Sequence, residues 1–173
     1  MIEKMTVAQA AKRMKKWSEE VDLLLQREEL VSVFHAALGE VVEEVRPPYD
    51  YQSTQEKLAR LEAGIRALKH AVNLFNTTHL VGESKMTVDE VLVYLPQLAR
   101  RKDKYAAMAG RLEKSRSLAA GMGSNTVIDY EYANYSIEQA QADYNRVCEE
   151  ISSLQMALDL LNNTEMLEAD LPE

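Results

Sequence analysis

The chain reads as a mainly α protein: four long antiparallel helices, as a bundle or as coiled-coil hairpins, with a small β-hairpin or strand element. Two observations carry the helices and one the β element. A Ser or Thr is followed three residues later by Glu or Gln at Thr6–Gln9, Ser53–Glu56, Thr87–Glu90 and Ser136–Gln139. Each pair is a capping box, in which the hydroxyl and the Glu or Gln side chain satisfy N–H groups that the first helical turn leaves unpaired. Behind each box apolar residues recur at alternating steps of three and four, the period of a packed helical seam. Two short stretches, about 78–86 and 126–132, depart from that period and carry turn or β-branched and aromatic residues. Residues 1–173 thus form a single helical domain, with helices at about 6–45, 53–76, 87–117 and 136–163.

In the first helix Val7, Ala10, Met14, Trp17, Val21 and Leu24 make the seam. The frame extends to Val45 only by placing Glu28 and His35 in it, and Arg46-Pro47-Pro48 ends it because proline disfavours helix at the residue before it. The second helix has an unbroken stripe of Leu58, Leu61, Ile65, Leu68, Val72 and Phe75. The third carries Val91, Leu95, Leu98, Tyr105 and Leu112, with Pro96 as a kink or restart. The fourth runs from Ile137 through Tyr144, Val147, Ile151 and Leu154 to Leu161. Between the second and third, a turn at Gly82-Glu83-Ser84 predicts a hairpin. The strand Thr126–Tyr132 needs a partner, expected around His79–Val81 or in a neighbouring subunit.

Composition narrows the function classes. The 46 % hydrophobic and 28 % charged residues suit a soluble core-forming chain, and the opening Met-Ile-Glu-Lys does not resemble a signal peptide, so a cytoplasmic location is expected. No apolar run is long enough for a bilayer helix, and no membrane partner is expected. The net charge of −8 argues against nucleic acid as partner, since phosphate neutralisation supplies most of that affinity. The one Cys148 offers no internal disulfide.

The order of parts resembles the septicolysin-like family of small bacterial and phage proteins. The likeness is carried by Val72-Asn73-Leu74-Phe75-Asn76-Thr77, by Met86-Thr87-Val88-Asp89-Glu90-Val91-Leu92, by Ile128-Asp129-Tyr130, and by Leu161-Asn162-Asn163-Thr164-Glu165. It implies long antiparallel helices, a small β element and a homo-oligomer. Leu74-Phe75 and Leu95-Pro96 stand where the family pattern has polar residues and an Arg-Asp pair, and no segment here supports the pore formation in the family's name.

Catalytic motifs are missing: there is no glycine-rich phosphate loop, no paired cysteine ligands and no zinc-protease spacing among His35, His70 and His79. The expectation is a non-enzymatic chain without cofactor or metal, binding itself as a homo-oligomeric binding or scaffolding protein. Three groups of residues suggest a ligand site beside that. Asn73, Asn76, Thr77 and Thr78 close the second helix, either as caps or as a polar pocket. Arg100, Arg101 and Lys104 belong to a basic stretch, Leu98–Arg116, with seven basic residues against two acidic; they form a solvated face or an anion site. Tyr130 and Tyr132 either pack in a sheet or stack on a planar ring. Taken together as a site, these groups describe a sponge for a small anionic, nucleotide-like signal; in a phage, such a protein would counter host defence.

Overall fold

The computed structural model describes residues 1–116 and 130–172. The protein is mainly helical, with the order β1 (Ile2–Thr6), α1 (Val7–Val31), α2 (Val42–Val45), α3 (Tyr51–Thr78), α4 (Val88–Ala109), β2 (Lys114–Arg116), β3 (Tyr130–Tyr132), α5 (Ile137–Thr164) and β4 (Met166–Asp170). Two compact units divide the chain, Met1–His79 with Leu160–Glu173, and Leu80–Asp159.

In the first unit the two ends of the chain make an antiparallel ribbon, β1 against β4, in register from Ile2↔Asp170 to Thr6↔Met166. The pleat sends alternate residues to one face, so Met5, Leu167, Ala169 and Leu171 are buried. Lys4 and Glu168, directly opposed on the outer face, form an ion pair at 2.8 Å. This ribbon is absent from the sequence-based expectation, which took the opening residues as a polar lead into a helix. The Thr6 capping box is present: the Gln9 N–H donates to Thr6 Oγ1 at 3.2 Å, and the Thr6 N–H donates to Gln9 Oε1 at 3.0 Å.

The first helix is shorter than expected. It stops at Val31 instead of running to Val45, and Val42–Val45 is a separate single turn. Gly39, with φ +96°, adopts a left-handed conformation that no helix residue holds, and the Ala37 N–H donates to the Glu40 carboxylate instead of to a carbonyl one turn back. Glu28, one of the two polar residues in the extended seam, accepts from Tyr49 and from Gln55 Nε2 at 2.6 Å. The next helix begins at Tyr51, two residues before the expected Ser53, because Asp50 is its cap: Oδ1 accepts from the Ser53 N–H at 3.1 Å. Along α1 and α3 the contacts run in opposite senses, Trp17 lying on Gly64, Lys57 reaching Glu20 at 2.6 Å, and Gln55 reaching Glu28.

In the second unit Thr87 caps α4 with a complete box. The helix continues through Pro96, whose missing N–H falls on an exposed face. It ends at Ala109 with Gly110 as C-cap, not near residue 117 as expected. Lys114–Arg116, expected to be helical, forms β2 and pairs antiparallel with β3, Lys114↔Tyr132 to Arg116↔Tyr130. The strand expected over 126–132 is therefore present at Tyr130–Tyr132, and its partner within the chain is β2 and not His79–Val81; Thr126–Asp129 lie outside the described residues. The expected hairpin at 78–86 is smaller: Thr78 belongs to α3, and one bridge, Leu80↔Thr87, closes a turn in which the Val81 N–H donates to Met86 O at 2.9 Å. Tyr94 on α4 donates to Glu150 on α5 at 2.8 Å, and the Tyr135 hydroxyl donates to Met108 O at 2.9 Å.

Candidate functional site

The residues expected to bind a ligand fall into three separate settings. On α3, the Thr77 hydroxyl donates to Asn73 O at 3.2 Å and Leu74 O at 3.0 Å, and the Thr78 hydroxyl to Leu74 O at 2.7 Å. Both threonines thus bond back to carbonyls three and four residues earlier in their own helix. Asn73 is exposed and Asn76 half-buried, and His79 stacks on Phe75 at 3.8 Å between ring centres. This end of α3 is finished by its own side chains.

On α4 the Arg101 guanidinium lies 5.9 Å over the Tyr94 ring and the Lys104 ammonium 5.7 Å from the Tyr105 ring, while Arg100 is exposed. The tyrosines of β3 meet a different cation. Lys114, on β2, sits 4.1 Å from the Tyr130 ring centre and 5.4 Å from that of Tyr132. The ribbon's period of two puts Lys114, Arg116, Tyr130 and Tyr132 on one face. That face is basic, aromatic and exposed, and Lys114 already occupies the rings.

A fourth setting joins a hollow to an indole and a guanidinium, and none of the ligand-binding residues named from the sequence belongs to it; a hollow of similar size, about 390 Å³, adjoins Tyr132. The pleat that buries Met5 also turns Glu3 inward, where it accepts two hydrogen bonds from the Arg13 guanidinium, the longer at 3.3 Å. Those bonds hold the Glu3 carboxyl below its usual range, and the charge of Arg13 adds to the effect. Arg13 in turn lies 4.7 Å over the indole of Trp17. Trp17 rests on Gly64, where a Cβ would come within 2.6 Å of ring carbon Cζ3, so only glycine lets the helices meet at this level. Beside the indole, Arg60 and Leu61 of α3 and Leu171 and Pro172 after β4 line an open hollow of about 410 Å³.

The sequence held one signal of this place, a glycine inside the regular stripe of α3. An isolated glycine there marks close approach of a neighbouring group. Trp17 was legible as a seam residue; the strand that brings Glu3, and the turn of chain that brings Leu171, were not.

Among the described residues no group of three or more His, Cys, Asp or Glu side chains is placed to hold a metal ion, and no helix is long and apolar enough to cross a membrane. No family model matches the chain, and no curated protein matches it. Among solved structures it is similar to a functionally unknown conserved protein from Corynebacterium diphtheriae, with a TM-score of 0.57 and 17 % identity over 95 % of this chain and 99 % of the other. What the two share is a fold.

Proposed function

We propose that this is a non-enzymatic, cytoplasmic protein that assembles with copies of itself and acts as a binding or scaffolding oligomer. One observation carries it: between Ala10 and Leu58 no residue is buried. The stretch holds most of α1, its seam only half-covered by α3, and apolar side chains outside that seam. At about 100° per residue, Leu23 and Leu30 point away from the α3-facing seam of Met14, Trp17, Val21 and Leu24. They are 65 % and 80 % exposed, and Leu38 is fully so. A helix with apolar residues on opposing sides is normally covered on both, and each leucine buried adds about 1.5–3 kcal/mol. A second copy, bringing the same surface about a two-fold axis, supplies the cover.

Assembly of this kind completes the architecture of four long helices, with α1, α3, α4 and α5 in antiparallel pairs, as a bundle or as coiled-coil hairpins. The order of parts shared with the septicolysin-like family supports the same assembly. Sedimentation velocity at micromolar concentration tests it: a species of at least twice the 19.6 kDa chain mass is expected. Leu23→Glu with Leu30→Glu should return the monomer with helicity intact. A wild-type chain that stays monomeric at tens of micromolar overturns the proposal.

A second function, sequestration of a nucleotide-like anion, is favoured by the Lys114–Tyr130–Tyr132 face. A ligand at 100 times its dissociation constant adds about 2.7 kcal/mol, so a nucleotide panel without a shift in Tm removes it.

A further inference from the structure

We propose that the hollow beside Trp17 is a binding site for a small aromatic monoanion, a carboxylate or sulfonate on a flat apolar body. The site lies in the first unit and does not depend on self-assembly or on the Lys114 face. Its volume of about 410 Å³ falls within the range of small-molecule pockets, roughly 300–1,000 Å³. Its walls are chemically divided. Trp17, Leu61, Leu171 and Pro172 line it with indole and aliphatic surface, which suits an apolar ring and not a sugar or a chain of phosphates.

The charges select the sign and the number. Arg13 is fixed between Glu3 and the indole, so its charge is balanced and its guanidinium serves as part of the wall. The terminal amine of Met1 is balanced likewise, 3.2 Å from Asp170 and donating to Leu171 O at 2.8 Å. Arg60 is different: exposed at the rim, it forms no ion pair within 4.0 Å among the described residues. Glu56, one turn earlier on α3 and lining the adjoining hollow, accepts instead from Gln52 at 2.9 Å. Among the described residues this leaves Arg60 as the cation at the hollow without an ion pair, and its planar fork matches a carboxylate or sulfonate through two parallel hydrogen bonds.

The chain has a single tryptophan, so its emission reports this site alone. The test uses two dyes of nearly the same shape, anionic 1-anilinonaphthalene-8-sulfonate and neutral N-phenyl-1-naphthylamine, titrated against the full chain while energy transfer from Trp17 is followed. Wild-type protein should bind the sulfonate saturably and at least tenfold more tightly than the neutral dye. Arg60→Gln should remove that preference and leave the neutral dye's affinity unchanged, Arg60→Lys should keep part of it, and Leu30→Glu should change neither. Equal affinity for the two dyes in wild-type protein overturns the proposal, as does an Arg60→Gln chain, folded by circular dichroism, that keeps the preference. Sulfonate binding without transfer from Trp17 also overturns it, since the dye then sits on the exposed leucines.

Discussion

The two ends of the α1–α3 pair carry the same kind of apolar stripe and are finished in opposite ways. At one end the terminal ribbon lies over the helices, and Ala10, Leu68 and Phe75 are at most 2 % exposed. At the other, Leu23, Leu30, Val33 and Leu38 are left outside, and a long connection with one short helical turn joins α1 to α3. A helical period states which side of a helix must be covered. Whether the cover comes from the same chain depends on where its strands go, and here both strands go to one end.

The largest expected effect breaks this contrast directly. Leu68→Ala empties a fully buried position and should cost about 2–5 kcal/mol, read as a fall in the urea midpoint. Leu30→Ala, in dilute protein, should stay within about 0.5 kcal/mol of wild type. At concentrations where copies associate the Leu30 effect should grow, which a midpoint independent of protein concentration would contradict.

Next in size is Gly64→Ala at the covered end. The added methyl must displace the indole, at a cost of about 1–3 kcal/mol, with a shift of Trp17 emission as the independent readout. Unchanged emission and stability would show that α1 and α3 are less closely apposed than Gly64 requires. Thr6→Ala removes one half of a capping box at the same end and should cost about 1 kcal/mol.

The smallest effects concern pH and differ in sign between the ends. Glu3, held below its usual pKa by hydrogen bonds from Arg13, contributes stability that is present above its unfolded-state value. That contribution is lost as pH falls through the lowered folded value. Tyr49 is raised to about 12 because its hydroxyl donates to the Glu28 carboxylate, with burial adding to the effect. Its contribution is complete below the ordinary value of 10.0 and disappears as pH rises through about 12. Ultraviolet titration should therefore find Tyr49 among the late-ionising tyrosines, beside Tyr94 and Tyr144, which are also raised, and Glu28→Gln should restore Tyr49 alone toward its ordinary range, while Glu3→Gln should flatten the acid limb of stability without touching the alkaline one.

Much of the helical layout was legible because caps and periods are local. Thr6, Thr87 and Ser136 begin helices where expected, and the fourth helix matches within a residue at each end. Asp50 displaced Ser53 as cap because a carboxylate stood free just after Pro47-Pro48, a competition visible in the sequence once both candidates are weighed. The β1–β4 ribbon was not legible, since neither strand has a neighbour in sequence with which to pair. The candidate pocket inherits that difficulty: Arg13, Trp17 and Arg60 lie on helices that were foreseen, but Glu3, Leu171 and Pro172 arrive with the ribbon. The asparagines, threonines and tyrosines stand out in the sequence by residue type and by their places at a helix end and on a strand, and of these Thr77 and Thr78 are engaged with their own helix and Tyr130 and Tyr132 with Lys114.

The pairing of Met1 with Asp170, 169 positions away, also has a consequence for synthesis on the ribosome. When residue 79 has emerged, α1 and α3 are complete, yet β4 has not been made. At about 5–20 residues per second, the missing strand follows only after roughly 5–18 s. During that interval the helical hairpin carries bare apolar surface at both ends, and a nascent chain in this state is the form that a chaperone, or another nascent copy on the same messenger, would meet first.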